Sequence, residues 1–173
     1  SYLLSDLIGS DNAFFLKNLY YITIYLAPND CHRIFSPVQC ELMSHVHYPG
    51  ALFPVKQSYL SSVDNLYCRN ERLISMFRSS FGCFSLVKVG AYNVGSIEVA
   101  YAPSLHTNNW IKKLNKQDYS SGICFEKMEW VGSFHFGSTV ILLLDQSSFL
   151  FKSKVNVNDK IKYGQSLGEY VRR

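Results

Sequence analysis

The Gly-Ser-Thr step at residues 137–139 is the part of the sequence best suited to covalent chemistry. Gly137 has no Cβ, so its carbonyl is sterically open and its backbone can adopt dihedral angles that other residues avoid. The hydroxyl of Ser138 can attack that carbonyl and form an ester, and elimination of the ester would cut the chain. The new N-terminal dehydroalanine would hydrolyse to a pyruvoyl group, whose carbonyl reacts with amines and withdraws electrons. The alternative is an ordinary β-turn, because Gly-Ser steps are common in turns.

His32 is the second candidate, because a histidine can exchange a proton near neutral pH. It lies in the polar segment that follows the first predicted strand. A surface histidine, or one that caps a turn, is the alternative.

His45 and His47 are two residues apart on another predicted strand, so their side chains share one face, as a metal pair would. No clear third ligand stands at metal spacing. We therefore interpret both as structural or solvent-facing residues and predict no metal.

Asn70, Glu71 and Arg72 form a polar triplet that enters an otherwise apolar predicted strand. This pattern favours a structural role, in which the triplet pins a loop through an ion pair. The glycines at positions 90 and 95 lack the spacing of a nucleotide-binding loop, and no predicted helix follows them.

The composition fits a single folded domain over residues 1–173. The chain is 47% hydrophobic, which excludes intrinsic disorder, and its net charge of +4 is too small to indicate nucleic acid as a partner. No apolar run approaches the ~18 residues needed to span a bilayer. The five cysteines are odd in number and lack a C-x-x-C pair, which favours a reducing compartment. Because the chain begins at Ser1 rather than Met, we expect an N-terminally incomplete domain.

The hydrophobic pattern predicts many short strands and few helices. One or two short helices are expected over residues 1–18 with a break at Gly9, and another over 57–66. Residues 30–37 and 105–121 are predicted to be polar loops, and 154–168 two short strands around turns. The other predicted strands are 20–26, 38–48, 73–77, 84–89, 94–101, 123–128, 132–136 and 138–144.

These elements indicate an α+β class that is predominantly β. We expect short N-terminal helices and a β-rich barrel or sandwich core. The C-terminal spacing of apolar residues and glycines resembles the half-barrels of biotinyl and lipoyl domains. No lysine stands in a carrier-type hairpin, so we do not predict a carrier function.

Several short segments, taken in order along the chain, carry a resemblance to a known enzyme family. Their order and spacing over residues 2–168 are specific, although each is modest alone. They are 25–28 with Asp30, His32 and Arg33, then 36–37, 49–55, 70–72, 89–91, 94–97, Gly132, Phe134 and 137–141. The chain resembles the phosphatidylserine decarboxylases, which are pyruvoyl-dependent, membrane-associated enzymes of phospholipid synthesis.

The resemblance implies that the chain cuts itself between Gly137 and Ser138. Ser138 would become a pyruvoyl cofactor that heads a small alpha chain of residues 138–173, and residues 1–137 would form the large beta chain. The pyruvoyl carbonyl would form a Schiff base with the serine amine of phosphatidylserine. Loss of CO2 and protonation would then give phosphatidylethanolamine.

The resemblance also assigns roles to residues outside the cleavage site. His32 matches the family histidine that assists decarboxylation or protonation. The segment of Phe53, Pro54 and Val55 is similar to the one that lines the headgroup site. Partners implied are the membrane surface and, after cleavage, an alpha/beta heterodimer that dimerises further. The implied location is peripheral, on the cytoplasmic face of a bacterial cell membrane or an organelle inner membrane.

Two departures from the family pattern concern self-cleavage. The family uses an Asp-His-Ser set, and its histidine is the second one of a D-x-H-x-x-H loop. Phe35 stands at that position here, and a phenyl ring cannot take a proton from Ser138. The family aspartate belongs to a P-x-D-G segment that lies upstream of the position of Ser1.

Two alternatives to an active phosphatidylserine decarboxylase remain, and the departures favour the first. The first is an uncleaved, catalytically degenerate homologue that binds anionic phospholipid. The second is an enzyme of the same family that acts on a free amino acid or a related phospholipid.

Overall fold

A computed structural model describes residues 3–13, 16, 18–92, 96–108, 113–120, 122–135 and 137–172. The described elements are mostly strands, so the predominantly β class with short N-terminal helices is confirmed. In chain order they are α1 Leu4–Ile8, α2 Ser10–Ala13, β1 Leu19–Tyr25, β2 Arg33–Phe35, β3 Cys40–Tyr48, α3 Gln57–Leu60, α4 Leu66–Arg69, β4 Arg72–Ser79, β5 Gly82–Val89, β6 Ile97–Val99, β7 Asn115–Asp118, β8 Cys124–Phe125, β9 Trp130–Phe134, β10 Thr139–Asp145, β11 Phe149–Ser153 and β12 Gly168–Arg172.

The strands of the described residues form three antiparallel sheets. The largest has seven strands in the order β1-β10-β5-β4-β3-β7, and β8 also pairs with β3. A second sheet has the order β2-β9-β6, and β11 pairs with β12 in a third. Strand β10 lies between β1 and β5, and its first six residues are buried. The chain therefore enters the interior of its largest sheet, next to the edge strand β1, directly after residue 138.

The register of the large sheet fixes which side chains share a face. Ile24, Val140, Lys88, Leu73 and His47 lie directly opposite one another across five strands. Beyond this row, the backbone N–H of Gly90 donates to the carbonyl of Glu71 over 2.7 Å, and that of Leu26 to the carbonyl of Ser138 over 2.7 Å. Because side chains on a strand alternate between faces, Ser138 and Glu71 continue the face that carries Lys88 and His47.

Helix α1 packs its apolar side inward. Leu7 and Ile8 are 2% and 0% exposed and belong to the main hydrophobic cluster, whereas Leu3 is exposed. Phe14 and Phe15, which the sequence pattern groups with them, lie outside the described residues. No helix within the described ranges is long and apolar enough to cross a membrane.

Two predicted loops contain strands. Residues 33–35 form β2, which pairs with β9, and residues 115–118 form β7 at the edge of the large sheet. All four residues of β7 are exposed and polar, because an edge strand satisfies its backbone without burying side chains. Sequence hydrophobicity therefore gives no sign of this strand.

Two other predictions are wrong in their placement. The helix predicted over 57–66 ends at Leu60, and α4 begins only at Leu66, because Asn65 has a left-handed φ of 54° that interrupts the helix. The two strands predicted within 154–168 instead flank that segment as β11 and β12. The alternating valines do not mark a strand there, and Val157 is 90% exposed.

Candidate active site

Ser138 lies at the junction of β10 with its two neighbouring strands. Its side chain is fully buried, and its Oγ donates a hydrogen bond to the carbonyl of Val89 at the end of β5. On the other side, the Ser138 carbonyl accepts the bond from Leu26 that follows β1. The hydroxyl is therefore held in one orientation within the sheet.

Gly137 has no room for a side chain. A Cβ at this position would lie 2.6 Å from the carbonyl oxygen of Leu26, 3.0 Å from the nitrogen of Pro28 and 3.1 Å from the carbonyl carbon of Ala27. These are backbone atoms, which cannot move away cheaply. The peptide that joins Gly137 to Ser138 is therefore packed directly against residues 26–28.

His32 is attached to the same segment. It is half-buried, and its Nε2 donates to the carbonyl of Ala27 over 3.0 Å. Asp30 fixes the loop, since its carboxylate accepts from the N–H of Ala27 over 2.8 Å and its own N–H donates to the Ala27 carbonyl over 2.9 Å. Ala27 thus contacts both His32 and Gly137, so the two predicted site elements lie side by side.

The predicted headgroup segment is held by one buried asparagine. Asn70 is 0% exposed; its Oδ1 accepts from the N–H of Phe53 over 3.0 Å, and its Nδ2 donates to the Phe53 and Gly90 carbonyls over 2.8 Å each. A Cβ on Gly90 would lie 3.1 Å from Leu52, so this segment packs closely on the strand end that holds Ser138. Phe53 and Pro54 are half-buried, whereas Val55 is buried in the core.

Comparison with known proteins identifies the family to which the chain belongs. The sequence matches the family model described as phosphatidylserine decarboxylase over residues 1–169. The chain belongs to the phosphatidylserine decarboxylase family.

Three bacterial relatives illustrate the relationship. Each is described as a phosphatidylserine decarboxylase proenzyme. The chain is 37% identical over 170 residues to that of Methylococcus capsulatus, which covers 95% of this chain and 58% of the relative. It is 40% identical over 148 residues to that of Brevibacillus brevis and 39% identical over 151 residues to that of Francisella tularensis. Each of these two alignments covers 85% of this chain. The chain spans 52% and 53% of those two relatives, or about half their length.

Phe35 is half-buried at the position where the decarboxylase pattern has its second loop histidine. Its ring packs on Tyr163, with the ring centroids 4.6 Å apart. It also lines a cavity of about 1050 Å³ whose walls include Leu26, which bonds to the Ser138 carbonyl, and Val140, which lies two residues beyond Ser138. Phe35 offers no proton acceptor to this cavity.

The polar triplet of the family pattern pins elements together, as predicted, but mainly through hydrogen bonds. Arg72 is buried and donates to the carbonyls of Asp6, Leu7 and Cys68 over 2.9, 2.7 and 2.6 Å, which fixes α1 and α4 on the sheet. The Glu71 carboxylate lies 2.8 Å from Nε2 of His47 and accepts from the N–H of Asn108 over 2.7 Å.

His45 and His47 are structural rather than solvent-facing. They are 1% and 4% exposed, and His45 lies 3.0 Å from the hydroxyl of Tyr119 through its Nδ1. Burial lowers the pKa of His45, so the ring is neutral at physiological pH. No group of three or more metal-binding side chains is present among the described residues.

Lys88 is a buried ionisable group that sequence reasoning missed. It is 0% exposed, and its Nζ donates to Oγ of Ser75 over 2.5 Å, while the Ser75 hydroxyl also bonds to that of Tyr101. Burial lowers the pKa of Lys88 to about 7. The sequence did contain a signal for this burial. Residues 84, 86 and 88 share one face of the predicted strand, so the lysine at position 88 points to the same side as Phe84 and Leu86.

Proposed function

We propose that this chain carries the catalytic core of a phosphatidylserine decarboxylase, which converts phosphatidylserine to phosphatidylethanolamine through a pyruvoyl group derived from Ser138. The observation that carries the proposal is the burial of the Gly137–Ser138 peptide against residues 26–28, with the hydroxyl fixed in the sheet. Family membership and the relatives' description as proenzymes agree with it.

Self-cleavage would use the chain's own atoms. Oγ of Ser138 attacks the carbonyl carbon of Gly137, the peptide C–N bond breaks, and an ester forms with a free amine on residue 138. Elimination then breaks the Cβ–Oγ bond and releases the Gly137 carboxylate. The dehydroalanine that remains takes up water, loses ammonia and becomes the pyruvoyl group. A base must first accept the Ser138 proton, and His32 is the candidate because it bonds to Ala27, against which Gly137 packs.

The pyruvoyl group would supply an electron-withdrawing carbonyl that captures the substrate amine. The residues around it would bind and shield the substrate. Phe53 and Pro54, held by Asn70, would contact the headgroup, with Val55 behind them in the core. His32, half-buried and fixed through Ala27, would assist decarboxylation or return a proton to the product.

The two chains produced by cleavage would remain paired. Strand β10 of residues 138–173 is hydrogen-bonded on both sides to strands of residues 1–137. We therefore propose an alpha/beta heterodimer that attaches peripherally to the cytoplasmic face of a membrane and dimerises further. The net charge of +4 agrees with weak attraction to an anionic surface.

An uncleaved homologue that binds anionic phospholipid is the second candidate. Phe35 favours it, because the position that supplies the family's cleavage base holds a phenyl ring packed on Tyr163. The intact site would then bind a headgroup without reacting with it.

Intact-mass spectrometry of the expressed protein under denaturing conditions separates these functions. Two chains divided between Gly137 and Ser138, with a ketone-reactive blocked terminus on the smaller one, support the pyruvoyl enzyme. A single uncut chain favours the second candidate. Release of CO2 from phosphatidylserine, compared with free serine and related phospholipids, then identifies the substrate within the family. A Ser138→Ala variant is the control, because it keeps the backbone and removes the nucleophile.

A further inference from the structure

A concavity of about 500 Å³ lies on the large sheet away from Ser138. His45 and His47 form its buried floor, and His106, Lys113, Asn115 and Gln117 are on its exposed rim. Strands β4 and β5 separate β3, which carries the two floor histidines, from β10. At the usual strand spacing this places the cleft about 14 Å from Ser138, so it is distinct from the candidate active site.

The charges of this histidine cleft are unbalanced. Among the described residues that line it, none is an aspartate or glutamate. Glu71 lies behind His47, but its Oε1 already pairs with that ring and with the N–H of Asn108. Lys116 is directed elsewhere, to Asp11 over 3.2 Å. Lys113 and His106 have no hydrogen-bond or ion-pair partner within the described part of the chain. Positive charge and N–H donors are therefore free to meet a ligand.

The floor contains a buried polar atom with no partner. Nε2 of His45 has no hydrogen bond among the described residues, although the ring is 1% exposed. Asn115 lies near enough to raise the pKa of the ring in part, but Nε2 makes no bond of proper geometry. When the Tyr119 hydroxyl donates to Nδ1, Nε2 carries the hydrogen and lacks an acceptor. An unsatisfied buried donor is costly, and a bound oxyanion would relieve that cost.

We propose that the histidine cleft binds the oxyanion of a phosphate ester, with Lys113 and His106 as charged and polar contacts at the rim and His45 as a donor at the floor. The ester is either a phospholipid headgroup at a membrane surface or a soluble phosphate monoester. Lysine and histidine N–H groups suit such an oxyanion, and charge-assisted bonds of this kind are the stronger ones.

Glycerol 3-phosphate titrated into the full chain tests the proposal. The chain has five histidines, so ring ¹⁵N signals of His45, His47 and His106 report the cleft, whereas those of His32 and His135 report the region of Gly137. We expect the first three signals to shift saturably with one dissociation constant, whether or not the other two signals shift. Lys113→Ala should weaken binding about tenfold or more, as expected for the loss of a charged contact. Lys160→Ala, which removes an exposed lysine that does not line the cleft, should bind as the unmodified chain does.

A second measurement identifies the source of the ester. Sedimentation with vesicles of phosphatidylcholine containing phosphatidylglycerol should lose binding in Lys113→Ala but not in Lys160→Ala if the ligand is a lipid headgroup. If glycerol 3-phosphate binds but Lys113→Ala does not reduce sedimentation with the vesicles, the ligand is a soluble phosphate ester. The proposal is overturned if no cleft signal shifts, or if both lysine variants weaken binding equally. Ser138→Ala cannot mature but keeps the cleft, so this outcome is independent of the proposed enzyme activity.

Discussion

Phe35 stands where the family pattern has the histidine that assists self-cleavage. A histidine there would restore the loop pattern that the family resemblance implies, in a cavity that position 35 shares with Leu26 and Val140. We expect Phe35→His to increase the rate of self-cleavage, measured as the cut fraction over time on denaturing gels. Phe35→Asn is the matched control, because it also removes the Tyr163 contact and adds polarity but cannot accept the proton at neutral pH. Equal rates in the unmodified, His and Asn forms would contradict this role.

Asn70 links the predicted headgroup segment to the strand end beside Ser138. Asn70→Ala removes three buried hydrogen bonds and leaves polar groups of Phe53 and Gly90 without partners. We expect a loss of about 2–4 kcal/mol in the free energy of unfolding, measured by urea denaturation. Asn156→Ala, at an exposed turn, should change it by no more than about 0.5 kcal/mol. If both variants changed the free energy of unfolding by a similar, small amount, the side-chain amide of Asn70 would not hold the headgroup segment in place.

The candidate site was predictable from sequence where residue type alone determines the chemistry. Ser138, Gly137 and His32 stand out because few residues can attack a carbonyl, leave it uncovered or exchange a proton near pH 7. Asn70 was interpreted only as part of a pinning triplet, since its three bonds run to backbone groups that are distant in sequence. Hydrogen bonds to backbone groups cannot be recognised from the residue composition or from the spacing of residues in the sequence.

At the scale of single elements, strand β5 places the ionisable side chain of Lys88 in the core. The pKa of Lys88 in the folded chain is about 7 against an ordinary value of 10.5, so the unfolded chain binds more protons between these two values. Stability should therefore rise with pH from about 7 to about 10.5, by up to about 1.4 kcal/mol per pH unit from this group. As the pH falls, this contribution should be lost progressively from about 10.5 to about 7, and it should level off below 7, where the amine is protonated in both states.

Lys88→Met tests this linkage, because methionine fills similar space without an ionisable amine. The unfolding free energy of the variant should vary less between pH 7 and 10.5 than that of the unmodified chain. Lys160→Met, at an exposed turn, should keep the original slope. If Lys88→Met and the unmodified chain have parallel pH profiles, the amine of Lys88 is already accessible to water in the native state.

The strands that were predicted correctly are rich in apolar side chains. Segments 84–89 and 138–144 are close to β5 and β10, which are mostly buried, and segment 20–26 is close to β1, which packs partly buried side chains against the core. Strand β7 was missed since pairing with β3 needs only its backbone. The valines near residue 155 suggested strands that the structure does not form there, whereas aromatic pairs such as Phe151 with Tyr170 fix β11 against β12.

At the scale of the whole molecule, the proposed cut separates two chains that share one sheet. Seven register pairs join β1 to β10, and six join β10 to β5. We expect native mass spectrometry of the cleaved protein to give one species with the summed mass of both chains. Denaturing conditions should release them. Separate chains under native conditions would mean that β10 leaves the sheet after cleavage.

The position of β10 also sets an order of events during synthesis. Ser138 is aligned by Val89 and Leu26 only once β10 has inserted between β5 and β1, so cleavage would have to follow assembly of the sheet. Before the cut, folding is a unimolecular process whose yield does not depend on concentration. After it, recovery from denaturation would require two separate polypeptides to meet, so it would become slower on dilution. A matured enzyme of this kind would persist because it unfolds slowly rather than because it refolds readily.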